Sequence, residues 1–190
     1  MTSTTPAPAT LADLAGTWTV DASHTRIGFV ARHAMVTKVR GAFNEFEGSA
    51  VVDAEDFTKS TAALTIKAAS IDTRNEQRDG HLRSNDFLAM DEFPEITFAS
   101  TRVTQTGPTG LELTGDLSIK GVTRAVTVPF AFEGLATDPF GNLRAGFDGA
   151  VTINRKDYGI TWNAALETGG VLVSDKVAIN LELAFIAPAA

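Results

Sequence analysis

The sequence predicts an all-β protein, an eight-stranded antiparallel up-and-down barrel with a short helical insertion near its mouth. Three observations lead there. Apolar and polar residues alternate with period two over most of the chain, the mark of strands with one buried and one wet face. Clusters such as "TGPTG" and "DPFGN" separate those runs with hairpin chemistry. No helix alternates regularly with the strands, which argues against a parallel α/β sheet. Closure follows because about eight long strands would otherwise leave exposed sheet edges, and a barrel of that size has room for one small ligand.

Taken in order, the first ten residues are dominated by Thr, Pro and Ala and predict a disordered tail over 1–14, followed by one folded domain over 15–187. A strand then carries Ile27, Phe29, Ala31 and His33 on one parity. "DAEDF" at 53–57 reads as a short helical turn. In "STAALTIKAAS", Ala62, Leu64, Ile66 and Ala68 share a face. "SIDTRNEQRDGHLRSNDF", Ser70 to Phe87, holds the one clear helix signal: Thr73 and Glu76 at capping-box spacing, then Asp79 and Arg83 at i,i+4. This insertion falls between strands near 60–70 and 95–104. Four more runs follow. One aligns Leu111, Leu113, Leu117 and Ile119; the next, Val126, Val128, Phe130 and Phe132. The last two align Ala145, Phe147, Val151 and Ile153, then Val177, Ile179, Leu181, Leu183 and Phe185. Gly121 and Gly134 mark turns or bulges.

Composition narrows the function. The absence of cysteine excludes disulfides, thiolate zinc sites and cysteine nucleophiles. A net charge of -7 argues against nucleic acid and anionic membrane surfaces. The expected partners are a neutral, apolar or cationic small molecule, or another protein. No run of eighteen apolar residues occurs, so no membrane-spanning helix is expected. "MTSTTPAPATLADLAG" has neither a basic nor an apolar leader region, and a cytoplasmic location is expected.

Reactive chemistry finds little support. The three histidines are His24, His33 and His81. His24 and His33 stand an odd number of residues apart and would face opposite sides of one strand, so no metal site is expected. Asp79, His81 and Ser84 spell a hydrolase-like set, but such sets are assembled from distant segments, and adjacency in sequence does not support one. The competing reading makes Arg74, Arg78, Asp79 and Arg83 a set of salt bridges around the helix. The inward face is the remaining candidate site: Ile27, Phe29, Phe43, Leu64, Ile66, Phe98, Leu113, Leu117, Val128, Phe130, Phe147, Val151, Ile179 and Leu181. These side chains either fill a solid core or line an apolar tunnel, and periodicity alone does not separate the two. His33 shares the inward parity and reads either as a rim histidine or as a polar anchor for a ligand head group.

Four ordered blocks resemble the YceI-like family of lipocalin-like polyisoprenoid-binding proteins. They are "TWTVDASHTRIGFVARH" with "VRGAFNEFEG", the Ser70–Phe87 block with "FPEITFAST", "LTGDLSIKGVTRAVTVPF", and "NRKDYGI". The chain differs from the usual pattern at Leu88 and Ala89, where the family commonly has Phe and Asp. The resemblance implies a lipocalin-like barrel holding a long amphiphilic ligand: a polyisoprenoid, an isoprenoid quinone precursor or a fatty-acid-like molecule. It implies carriage or sequestration without catalysis, no cofactor beyond the bound lipid, a role in transport or stress response, and homodimers in many members. Leu82 and Phe87, the apolar members of the insertion, then join the ligand-binding set. Two rivals remain: a protein-interaction module with a filled barrel, and a hydrolase using Ser84, His81 and Asp79.

Overall fold

The computed structural model describes residues 9–187. One antiparallel sheet contains eleven strands: β1 (Gly16–Val20), β2 (Arg26–His33), β3 (Thr37–Phe43), β4 (Phe46–Val52), β5 (Thr61–Lys67), β6 (Ile71–Asp72), β7 (Glu95–Gln105), β8 (Gly110–Ile119), β9 (Val122–Thr137), β10 (Leu143–Asn154) and β11 (Val173–Ala187). It closes on itself through β1 and β11, with Thr19 opposite Ile186 and Val20 opposite Phe185.

Eleven segments make eight staves. β1 and β2 lie in line along one edge of β11, at Phe185 and Glu182 respectively. β4 and β3 pair with them in turn, and β5 and β6 pair with β4 and β3. Three staves are thus broken midway, two of them where side chains compete with the ladder for backbone groups. Between β1 and β2, Asp21 accepts from the backbone of Ser23 and starts a 3-10 turn. Between β5 and β6, the Ser70 hydroxyl donates to the carbonyl of Lys67. Gly134 sits at a bulge, since β9 carries an extra residue where the β9–β10 register shifts.

One seam is left unpaired. β6 bonds only to β3, while β7 bonds to β5 and β8. Helix α1 (Glu76–Arg83) and the segment after it lie between β6 and β7 in the chain. The cap differs from the expected Thr73/Glu76 box: Asn75 is the N-cap and accepts from the backbone of Arg78. Asp79 does not pair with Arg83. It is 4% exposed, and its carboxylate accepts from the backbone N–H and hydroxyl of Thr73. That buried use of Asp79 outweighs a surface i,i+4 pair, and it frees Arg83 to donate to the carbonyls of Ala69 and Ile71, pinning the helix to the β5–β6 stave. The turn expected at 53–57 forms as a 3-10 helix at Phe57–Lys59, displaced because Asp53 caps the backbone of Glu55 and Asp56.

The N-terminal segment corrects the expectation of a tail over 1–14. Residues 1–8 lie outside the described residues, but Leu11–Asp13 is a 3-10 helix. Leu11 and Leu14 are 1% and 2% exposed and are among the most buried side chains of the protein. They close the barrel end opposite α1, held by the Leu11 N–H donating to Pro108 O and the Trp18 indole donating to Leu14 O.

The rim beside this plug carries an ion triplet. Arg144 donates to Asp21 at 2.6 Å and to Asp138 at 2.8 Å, joining the β1–β2 corner to the β9–β10 turn. Hydrogen bonds from Ser23 hold the Asp21 carboxyl well below the usual carboxylate range, against a burial penalty, with further help from Arg144 and His24. The backbone of Asn142 and then Arg144 depress Asp138 in the same direction. A carboxyl depressed in the folded state contributes stability above its unfolded value, near pH 4, and loses it as pH falls towards its folded value. Arg144→Met is therefore expected to melt below the wild type at pH 7. The gap should narrow below about pH 4 as the carboxylates protonate, a trend that calorimetry across that range measures directly.

Candidate functional site in the barrel lumen

Every strand sends alternate side chains inward, and along β10 these are Ala145, Phe147, Gly149, Val151 and Ile153. A solid core would need those side chains to meet across the axis. They do not: a cavity of about 320 Å³ runs between the N-terminal plug and the α1 end, within the range of small-molecule sites. Its wall is apolar almost throughout.

Glycines help to keep it hollow. Gly41 and Gly149 occupy inward positions directly across from Phe29 and Phe130, and Gly115 lies diagonal to Phe98. In each case the phenyl ring rests where a Cβ would stand. The rings lie against the wall instead of projecting to the axis, so a lumen lined by several phenylalanines stays open.

All the residues expected to bind ligand line this cavity except His33. Parity placed His33 inward, but the wall ends before it. Ala31 faces Val177 and His33 faces Val173, so β11 bulges away where β2 finishes, and His33 is exposed at the turn into β3. It is removed from the lumen set. Leu82 and Phe87 reach the cavity from α1 and the turn after it, joined by Leu88.

The Asp79, His81 and Ser84 set is not assembled. Asp79 is committed to Thr73. The Ser84 hydroxyl donates to the backbone carbonyl of His81 at 2.6 Å, which is helix-end chemistry. The His81 ring pairs through Nε2 with Asp86 at 2.8 Å and packs edge-on against Phe87 and Trp162. Within that set no nucleophile faces a base, and among the described residues no group of three acidic or histidine side chains is placed to hold a metal.

Two polar residues at the α1 end, Arg155 and Tyr158, were not foreseen. Both belong to a 3-10 turn after β10 and both line the cavity. Arg155 is 4% exposed. It donates to Ser174 O, Ile160 O and Trp162 O, each at 2.9 Å, and more weakly to Val173 O. Burial pushes its pKa down, and the Asp175 carboxylate acts the other way. Tyr158 is 1% exposed, and burial raises its pKa, so the phenol keeps its proton. A signal existed for Arg155: it continues the inward parity of Val151 and Ile153, where a cation is out of place.

The family profile described as YceI-like domain matches residues 18–185. The UPF0312 protein SA2479 of Staphylococcus aureus is 40% identical over 169 residues, spanning 88% of this chain and 96% of that protein. Among solved structures, BcnA of Burkholderia cenocepacia superposes with a TM-score of 0.76 at 25% identity, covering 87% of this chain and 98% of that one. The YceI protein of Campylobacter jejuni gives 0.70 at 26%, with 82% and 89% covered. A polyisoprenoid-binding domain from Saccharophagus degradans shares the fold at 0.68 and 15% identity, over 90% and 98%.

Proposed function

The chain belongs to the YceI-like domain family, and from that membership and the hollow lumen we propose that it binds a long apolar-chain lipid inside the barrel, for carriage or sequestration, without catalysis. The carrying observation is the lumen: elongated and apolar from plug to α1. Ala145 and Ile153, towards its two ends, lie eight residues apart on β10. At about 3.3 Å per residue and a tilt near 40°, that is roughly 20 Å of axial length. A space long, narrow and dry fits a chain such as a polyisoprenoid, the tail of an isoprenoid quinone precursor or a fatty-acid-like molecule. The fold it shares with a polyisoprenoid-binding domain is consistent with this class. Each buried methylene contributes about 0.8 kcal/mol, so shape and area drive binding and no reactive group is needed; ordering the chain offsets part of that gain.

Purified recombinant protein is expected to carry co-purified lipid, seen as a mass increment in native mass spectrometry that organic extraction removes. Protein that emerges empty, and that takes up no added long-chain lipid after delipidation, overturns the reading.

A further inference from the structure

We propose that the α1 end of the barrel docks on a bilayer containing anionic lipid, through an apolar tip backed by a basic patch, and that the lumen exchanges its ligand there. The carrier reading gives this contact its purpose, but the contact stands on exposure and charge of its own. The tip is built from two loops. The turn from β2 to β3 carries Met35 and Val36, 61% and 76% exposed, and the loop before β11 carries Val171, 41% exposed. The loops are joined: the Ala34 N–H donates to Leu172 O, and the Met35 sulfur stands where a Cβ on Gly170 would be. Three of the five exposed large apolar side chains among the described residues therefore gather at one corner. The turn is also strained. Ala34 and Met35 both have positive φ, 49° and 63°, where asparagine or glycine would be at ease. Stability alone does not select a methionine at that position, out in water.

The patch lies beside the tip on the outer face of β2, β3 and β11, where Arg32, Lys38, Arg40 and Lys176 are all exposed. Among the described residues none of the four pairs with a carboxylate. Arg32 and Lys38 stand directly opposite each other. Like charges so placed destabilise a sheet, and a chain with 23 acidic residues had the means to avoid it. Asp175, in the same depression, is neutralised by Lys156 at 3.1 Å, and Glu167 is the one acid in the two loops of the tip. The net charge of -7 does not oppose the contact, because screening limits a surface field to charges within about 8 Å at physiological salt. Apolar side chains with cations behind them match an anionic interface: the first enter the headgroup layer and the second meet its charges. A soluble acidic polymer would answer the cations but leave the apolar tip in water. Ala31, Val173 and Val177 line the lumen just behind the tip, so docking sets the α1 end of the lumen against the lipid.

The test is flotation of delipidated full-length protein with vesicles of phosphatidylcholine, pure or mixed with phosphatidylglycerol. Each cation near an anionic surface raises affinity about fivefold, so four cations less Glu167 should favour the mixed vesicles roughly 100-fold, a margin that high salt removes. Arg32→Ser combined with Lys38→Ser is expected to weaken binding to mixed vesicles roughly 25-fold, with a melting temperature equal to or above that of wild type. The same variant should take up a long-chain lipid normally from ethanol solution but more slowly from vesicles. Met35→Ser combined with Val36→Ser should weaken binding to both kinds of vesicle, and Phe140→Ser, at the plug end, should weaken neither. The surface is overturned if wild type binds neither vesicle or both alike, if the charge variant binds as wild type does, or if Phe140→Ser loses binding. Unchanged binding in the Met35 and Val36 variant overturns the tip. Capture of soluble polyglutamate without vesicle binding assigns the patch to an acidic macromolecule and overturns the bilayer. Docking by a protein that takes up no lipid removes the carrier reading and leaves the surface, whereas uptake from ethanol without docking removes the surface alone.

Discussion

Arg155→Met is expected to melt roughly 10 °C below the wild type. The guanidinium donates to four backbone carbonyls, two at the start of β11 (Val173 and Ser174) and two in the segment leading to it (Ile160 and Trp162); Val173 also accepts from the Asn163 side-chain amide, so Ser174, Ile160 and Trp162 are the three that depend on Arg155. A methionine of similar length fills the volume but satisfies none of them. Orphaned buried acceptors cost about 1–3 kcal/mol each when no water replaces the donor, and partial relaxation brings the total to about 3–5 kcal/mol. At 2–4 °C per kcal/mol for a domain of this size, that gives the stated shift. Arg155→Lys should recover only part of it, because an ammonium cannot present the planar fork that reaches both sides at once. Thermal unfolding by circular dichroism compares the three proteins; equal melting temperatures would show that the carbonyls find other donors.

The second large effect concerns the hollow. Gly149→Ala places a Cβ inside the volume of the Phe130 ring. In the empty protein the ring can swing off the wall into the cavity, so stability changes little. A bound chain needs that space and must force the ring back against the new methyl group. The overpacking cost of about 1–3 kcal/mol therefore falls on the complex, weakening lipid binding by about 10- to 100-fold. Gly115→Ala provides the contrast. Its Cβ meets the Phe98 ring but also stands 2.5 Å from the backbone carbonyl of Ala99, which cannot swing away. That variant should lose stability even when empty. Lipid titration beside thermal melting separates the two; unchanged affinity in Gly149→Ala would show that the ring position does not shape the site.

These glycines also show where a sequence stops being informative. Period two correctly assigned Phe130 and Phe98 to the inward face, because alternation is local. Whether inward rings meet at the axis depends on what stands opposite on another strand, and the Phe130–Gly149 pairing is set by register across nineteen residues of chain. Hollow and filled barrels therefore read alike. His33 failed for a related reason: parity says which side a residue faces but not where the wall ends, and a bulge in β11, far away in sequence, ended it. At the helix, Thr73 and Glu76 had capping-box spacing, yet Asn75 was equally able to cap, and the tie was broken by Asp79 claiming Thr73 from inside. Leu11 and Leu14 were hidden in a Thr/Pro/Ala-rich stretch whose composition outweighed two leucines. Of their partners, Trp18 stands four residues after Leu14, but Pro108 lies far along the chain and no short motif points to it.

The seam between β1 and β11 joins the two ends of the described chain, and that has a temporal consequence. The other staves pair with neighbours adjacent in sequence and can form as the polypeptide emerges from the ribosome. The last cannot, because Thr19 waits for Ile186. Until β11 has been synthesised, the apolar inner face stays open along one edge, the state in which a β-protein is most prone to aggregate. Closure thus has to wait until the last stave has been made. It is also the moment at which the interior is still wide open to a lipid, so a chain enclosed then would enter during biosynthesis and need no passage through the finished wall.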